Sequence, residues 1–252
     1  MTAKESGVTA TELGRVSEIT RYPVATLRGE RVTEAALGPD GIWGNRIWGI
    51  LDPTERKVVT SARGKKPWRN LVTWSATFAR EPKDAEDCPA AEIHLPEGGK
   101  IATDAPDVNA RISAAIGAPA ELVRRTPENR PYDLAPIHLL TTATMKALAR
   151  HYSPGRFEPP RFRPNIVLDT GDLVGFVEQG WREGEMALGE ARVAFERDTE
   201  RCLMTTLPQG DLPLDPAILK SISEANKRLA GIYLRVVKPG RVRIGDRLQL
   251  LP

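Results

Sequence analysis

The sequence predicts a mainly β chain of the α+β class, and three observations carry that expectation. Twenty-one prolines and twenty-one glycines cut the 252 residues into short segments. Most of these segments alternate apolar and polar side chains with the period of two that a half-buried strand needs. Helical spacing of three and four is confined to three stretches. Short strands with few helices point to barrel-like structure. The expected organisation is an N-terminal β-barrel-like domain over residues 13–105 and a second β-barrel domain with a few helices over residues 106–252. The polar, glycine-rich run Pro96–Pro106 marks the seam between them.

Taken in order, Arg15–Thr20 alternates and reads as the first strand. Trp48–Leu51 and Lys57–Thr60 alternate on either side of a turn at Asp52-Pro53, the pattern of a hairpin. Ala91–Leu95 is a further strand. Helical spacing begins at Val108, Ile112, Ala115 and Ile116, with Asp107 as N-cap. A second helix covers Thr142–Arg150 and pairs Met145 with Leu148 and Ala149. Asn165–Leu168 and Ala191–Phe195 are strands. The third helix runs from Asp215 to Leu229, with Asp215 as cap and Pro216 in the first turn. Gly231–Val237 and the strictly alternating Gly240–Leu248, with its Gly245-Asp246 turn, end the strand series.

Charged residues make up 27% of the chain, hydrophobic residues 40%, and the net charge is +3. That composition is ordinary for a globular domain, and the two signs are interspersed with no dense basic stripe, so no nucleic-acid partner is expected. No stretch of about 18 apolar residues occurs, so no membrane span is expected. Met1 to Gly14 lacks the apolar centre of a secretory signal, so a cytoplasmic location is expected. Cys88 and Cys202 are the two cysteines and lie far apart, which argues against a disulfide framework. His94, His138 and His151 have no zinc-type spacing. Serine-nucleophile elbows, P-loops and dinucleotide-binding glycine fingerprints are absent.

Cys202, in Arg201-Cys202-Leu203-Met204-Thr205-Thr206, is the most informative residue. A lone thiol beside cations is available as a nucleophile or as a soft metal ligand. The block Arg161-Phe162-Arg163-Pro164-Asn165 precedes an apolar strand. Pro164 disfavours helix for Arg163 and holds it extended, so the block offers guanidinium and amide groups at the mouth of a strand. Guanidinium suits phosphate and other anionic oxygens, and asparagine offers a donor and an acceptor to a heterocycle. Together with Arg46 and Arg201 the block reads as an anion site. The densest local positive charge, Arg63-Gly64-Lys65-Lys66-Pro67-Trp68-Arg69, suits either an anionic small molecule or an exposed turn.

In their order these pieces resemble the MOSC proteins, named for the C-terminal domain of molybdenum cofactor sulfurases. Tyr22-Pro23-Val24, Arg28-Gly29-Glu30, Gly41-Ile42-Trp43-Gly44-Asn45-Arg46 and Thr60-Ser61-Ala62-Arg63 resemble the N-terminal β-barrel domain that precedes MOSC. Asp133 to Thr141, Arg161 to Val167, Arg201 to Thr206, Gly231-Ile232-Tyr233 and Lys238 to Asp246 resemble the MOSC domain itself. The described architecture most like it is that of the mitochondrial amidoxime-reducing component and its bacterial relatives. The resemblance implies a molybdenum–molybdopterin cofactor whose metal is bound by one protein thiolate, which by position is Cys202. It also implies Asp133, Arg163, Asn165, Arg201 and Thr205 around the pterin, and Thr26, Arg46 and Arg63 toward the cofactor phosphate. Pyridoxal phosphate is not expected. Three positions depart from the pattern: Ala25 stands where lysine is usual, Asn45 where aspartate is usual, and Gln179 where an acidic residue is usual.

The implied activity is an oxidoreductase that reduces N-hydroxylated or N-oxide small molecules. Having no second redox centre, it would draw electrons from an external flavin, iron–sulfur or haem carrier protein. Two other uses of the same residues stay open. Cys202 could carry a persulfide in a sulfur carrier or transferase, or the domain could be a repurposed binding module without molybdenum.

Overall fold

Alternating apolar residues form strands through most of the chain, which the computed structural model describes over residues 10–62, 66–84, 87–126 and 136–252. The first half contains β1 (Thr11–Arg21), β2 (Glu30–Val32), β3 (Glu34–Gly38), β4 (Gly41–Ile42), β5 (Trp48–Asp52) and β6 (Lys57–Val58). It continues with β7 (Ser75–Phe78), β8 (Ala91–His94), β9 (Lys100–Ala102), helix α1 (Val108–Ile116) and β10 (Glu121–Arg124). The second half begins with β11 (Ile137–Thr141), α2 (Thr142–His151), the single turn α3 (Pro159–Phe162) and β12 (Ile166–Asp169). It ends with β13 (Glu185–Leu188), β14 (Ala191–Glu200), α4 (Ala217–Asn226), β15 (Leu229–Lys238), β16 (Gly240–Arg243) and β17 (Arg247–Leu250).

Seven strands close a barrel in the order β12-β11-β15-β14-β13-β17-β1, and β1 returns to β12 through Arg15↔Asp169 to Ile19↔Ile166. The chain's first strand therefore completes a barrel whose other strands come from its second half. Closure leaves no open edge to template aggregation. Val16 and Ile19 of β1 share one core with Leu139, Ile166, Val193, Ile232 and Leu248. The β11–β12 pair is parallel, and its barrel neighbours are antiparallel. A parallel pair needs a crossover, here supplied by α2 and α3. Because helices cover β11 from outside, all five of its residues are buried. Ile137 and Leu139 join the barrel core, while Leu140 packs with Leu148, Phe162, Ile218 and Ile222 beneath the helices. That is why β11 is buried along its whole length and does not alternate between buried and exposed positions.

The first half builds a second core from Val24, Leu27, Ile50, Leu71, Trp74, Ile93 and Ile101, covered by the three-stranded sheets β10-β5-β6 and β7-β8-β9. Ile112 of α1 and Ala120 belong to the same cluster. A further sheet, β16-β3-β4, joins residues from both ends of the chain.

The predicted Trp48–Leu51 and Lys57–Thr60 hairpin forms, with Leu51 opposite Val58. Its turn is fixed by Asp52 Oδ1, which accepts from the amides of Thr54 at 2.9 Å and Glu55 at 3.2 Å. Asp107 stands at the N-cap of α1, but its side chain makes no capping bond. Thr141, not foreseen as a cap, caps α2 by accepting from the Thr144 amide at 3.1 Å. The third helix stops at Lys227, because Lys227 and Arg228 adopt left-handed backbone and Leu229 already belongs to β15. The segment Gly240–Leu248 is two strands in different sheets, since Gly245 at φ 92° turns the chain between them.

Asn165 pins the barrel where it closes. Its Oδ1 accepts from the His138 amide at 3.1 Å and its Nδ2 donates to the Thr20 carbonyl at 3.2 Å, so one amide ties β11 to β1. Asn165→Ala should cost about 1–3 kcal/mol, read as a lower urea midpoint, because it orphans a buried donor and a buried acceptor.

Candidate functional site

The site begins where β14 ends. Backbone pairing carries Arg201 to the mouth of the barrel, where its amide donates to the Arg228 carbonyl at 2.8 Å. Cys202 follows as the residue that opens a 3-10 turn over Leu203–Thr206, and it is exposed. Thr205 is fully buried beneath it and holds the turn by donating Oγ1 to the Cys202 carbonyl at 2.9 Å. Arg161, fully buried, braces the same turn: Nε donates to Arg156 O at 2.8 Å, Nη1 to Thr205 O at 3.0 Å and Nη2 to Pro213 O at 3.0 Å. Its hydrogen-bonding capacity is largely committed to backbone carbonyls.

Two residues on, Arg163 has a different environment. Pro164 excludes right-handed helix for it, yet the chain must leave α3. Arg163 therefore adopts φ 55°, ψ 48°, left-handed and not extended as its sequence context predicts. The turn sends its side chain over the Tyr22 ring, 4.4 Å from the centroid, with Nη2 donating to Leu27 O at 2.7 Å. Arg46, also left-handed at φ 55°, lies 5.4 Å from the same ring and reaches Arg163 O through Nη2 at 3.5 Å. Tyr22 is fixed beneath both by donating its hydroxyl to Pro164 O at 3.1 Å. Arg201 donates Nη2 to Phe162 O at 2.5 Å and sets Nη1 3.4 Å from His138 Nε2.

These guanidinium groups lack the counter-charges that buried ions need. No ion pair to Arg163 or Arg201 occurs among the described residues, and Arg163 Nη1 and Arg201 Nε are buried without a hydrogen-bond partner. Burial pushes the Arg163 guanidinium down to about 10, with Arg46 and Arg201 adding to the effect. Burial likewise lowers Arg201, and it raises the Tyr22 phenol against the opposing pull of Arg163. Cys202 lies close enough to Arg163 and Arg201 for a thiolate there to interact with both. His138, buried beside Arg201, titrates well below the ordinary imidazole range, first through burial and then through that cation. Its Nδ1–H tautomer suits both contacts, since the Arg163 carbonyl at 3.3 Å accepts and Arg201 donates. Gly231 makes room for the ring: at φ 83° a Cβ there would stand 2.6 Å from His138 Nε2.

The structure brings Arg46, Arg163, Arg201 and Cys202 together. Thr26, Asn165 and Thr205 lie in the same region, but their side chains bond backbone: Thr26, left-handed at φ 78°, donates Oγ1 to Val59 O at 3.0 Å. Arg63 and Asp133 fall outside the described residues. Sequence reasoning missed the work of Tyr22 and His138, whose only signal was their place in the Tyr22-Pro23-Val24 and Asp133–Thr141 segments. It also left Glu178 unassigned. That carboxylate is fully buried and accepts from Thr141 Oγ1 at 2.7 Å, Thr144 Oγ1 at 2.6 Å and the Gly231 amide at 3.2 Å, and burial raises its pKa. The second thiol, Cys88, lines a cavity of about 250 Å³ with Trp43, Arg46 and Pro136, and burial pushes it up. Among the described residues, no group of three or more His, Cys, Asp or Glu is placed to hold a metal ion.

A closed seven-stranded barrel with one exposed thiol beside unpaired buried arginines is the framework against which known proteins can be compared. Residues 128–249 match the model of the MOSC domain, and the chain carries a MOSC domain over its C-terminal half. Some members of that family bind the molybdenum cofactor. Among solved structures, the chain is similar to the YuaD protein from Bacillus subtilis at 15% identity, covering 95% of this chain and 94% of that one, with a TM-score of 0.47. It is also similar to YiiM from Geobacillus stearothermophilus at 23% identity, covering 47% of this chain and 55% of that one, with a TM-score of 0.35. No curated protein matches the chain.

Two neighbouring arginines should respond oppositely to loss of charge. The depression to about 10 corresponds to a destabilisation of charged Arg163 on the order of a few kcal/mol, against about 1 kcal/mol from its bond to Leu27 O. In ligand-free protein, Arg163→Met should therefore be neutral or stabilising by urea denaturation. Arg161→Met, which orphans three carbonyls, should cost about 2–4 kcal/mol. His138 sets a pH dependence. Its folded pKa is depressed, so below about 6.5 the unfolded chain binds a proton that the folded chain does not. Its contribution is complete above that pH and declines as pH falls toward the folded value, by up to about 1.4 kcal/mol per unit. His138→Gln should flatten the urea midpoint between pH 7 and pH 5 relative to wild type.

Proposed function

We propose that the protein is a molybdenum-cofactor oxidoreductase that reduces N-hydroxylated or N-oxide small molecules. The observation that supports it is the set of buried guanidinium nitrogens with no acceptor, Arg163 Nη1 and Arg201 Nε, beside the exposed thiol of Cys202. A cofactor carrying a phosphate and anionic sulfur atoms fits that donor set. One soft thiolate ligand suits a metal whose remaining ligands come with the cofactor.

When bound, the cofactor supplies the two-electron chemistry that cleaves an N–O bond. Overall the substrate takes up two electrons and two protons, and its oxygen leaves as water. Cys202 would hold the metal from the rim of the barrel. Arg163 and Arg201 would neutralise the anionic part of the cofactor, with Arg46 beside them, and Tyr22 and His138 would keep the two buried guanidinium groups in place. Neutral His138 adds no further positive charge to the cluster. Electrons would come from a separate flavin, iron–sulfur or haem carrier protein. The exposure of Cys202 favours a second reading, in which the thiol carries a persulfide.

Protein made in a molybdate-replete host should contain about one molybdenum and one pterin per chain, and Cys202→Ser should lower molybdenum retention at least about tenfold. Wild-type protein without molybdenum, with Cys202→Ser indistinguishable from it, would sink the proposal. Sulfane sulfur on Cys202 in metal-free protein, seen by mass spectrometry after exposure to a desulfurase, would instead select the persulfide carrier.

A further inference from the structure

Arg28 is a further arginine with a buried nitrogen that has no partner. Its backbone is locked into the first-half core, with its amide donating to Trp74 O at 2.8 Å and its carbonyl accepting from the Ala76 amide at 3.0 Å. Its Nε is buried without a partner, and among the described residues the side chain makes no hydrogen bond and no ion pair. Arg21 and Arg31, by contrast, are matched: Arg21 pairs with Glu30 at 2.8 Å and Arg31 with Glu18 at 3.0 Å. A partly buried guanidinium held on a rigid backbone, with its Nε buried and unpartnered, is suited to an anion.

Its position links it to the site. The preceding carbonyl, Leu27 O, is the acceptor of Arg163 Nη2 at 2.7 Å. On the other side, Arg28 Nη1 lies over Gly210, 3.5 Å from where a Cβ would stand. Gly210 sits in the tight Gln209–Leu212 turn, and Gln209 Nε2 donates to Met204 O at 3.1 Å, so that turn is tied to the one that Cys202 opens. Arg28 therefore reaches from the Val24–Gly29 segment to the turn that is tied to the Cys202 loop. Within that segment Ala25 is buried and uncharged, and the Thr26 hydroxyl is committed to Val59 O. Arg28 is the cation that the segment offers.

We propose that Arg28 binds the phosphate group of the ligand from the first-half side of the site, completing the arginine cluster formed by Arg46, Arg163 and Arg201. This assignment rests on the anionic-cofactor reading above and adds a residue to it. The planar fork of arginine can engage two phosphate oxygens, whereas lysine offers a single point charge.

The test uses full-length protein from a host that cannot make molybdopterin, with inorganic phosphate as the probe. Wild type should show a saturable rise in thermal midpoint with phosphate. Arg28→Met should bind phosphate at least about tenfold more weakly, Arg28→Lys should fall between the two, and Lys57→Met, at an exposed strand position, should match wild type. Circular dichroism establishes that each variant is folded. The proposal is overturned if wild type shows no saturable phosphate effect, or if Arg28→Met binds as wild type does. The two readings separate cleanly: phosphate binding that needs Arg28 in a protein that retains no molybdenum in a normal host keeps this assignment and removes the molybdenum one. Molybdenum retained equally by wild type and Arg28→Met, with unchanged phosphate affinity, does the reverse.

Discussion

The rest of the site depends on burying positive charge without a carboxylate to match it. Arg163 and Arg201 are almost fully enclosed, and each surrenders part of its hydrogen-bonding capacity. A buried unpaired ion is among the more costly features a fold can carry, and it persists only where surrounding structure over-determines it. Here the support is specific. Tyr22 lies under Arg163 and Arg46, His138 stays neutral beside Arg201, and backbone carbonyls of Leu27 and Phe162 take one nitrogen from each buried arginine. The remaining nitrogens are the ones that a bound anion would satisfy.

Backbone strain is also present at the same place. Thr26, Arg46 and Arg163 are non-glycine residues at positive φ, a conformation that costs about 1–3 kcal/mol each and that clusters at ligand sites. Each of the three bends the chain where a side chain must leave its own element and face another part of the molecule. Arg161 and Arg163 show how finely this acts. Arg161 lies in the last turn of α3 and donates to three carbonyls, while Arg163 is rotated out by one left-handed residue into an environment with too few acceptors.

The barrel explains why such a site can be held. Its closing seam joins β1 to β12, and Asn165 stitches that seam to β11 with both ends of its amide. Tyr22 directly follows β1, and Arg163 lies three residues before β12. Side chains far apart in the sequence are thereby fixed by one hydrogen-bonded seam. Glu178 has a comparable role around β15, since its carboxylate gathers two threonine hydroxyls and the Gly231 amide, and Gly231 in turn gives His138 its space.

Much of this was legible in the chain itself. Alternation and turn residues determined the strand-rich class, the β5–β6 hairpin and the approximate helices, because those depend on local burial and local dihedral preference. The cysteine flanked by an arginine, the Arg-Phe-Arg-Pro-Asn block and Arg46 were visible as candidates because thiols and guanidiniums in those settings have few ordinary uses. What only the tertiary structure decided was which of them share a site and which are spent. Nothing local distinguishes Arg161, saturated by Thr205 and Pro213 carbonyls, from Arg163, left with a bare nitrogen. Nor can spacing reveal that the Asn165 amide is consumed by β1 and β11, or that Arg28 lies over Gly210. Those outcomes are set by contacts between residues distant in the chain, 44 and 52 positions for the Arg161 bonds and 27 and 145 for those of Asn165, and only the tertiary fold brings such residues within hydrogen-bonding distance.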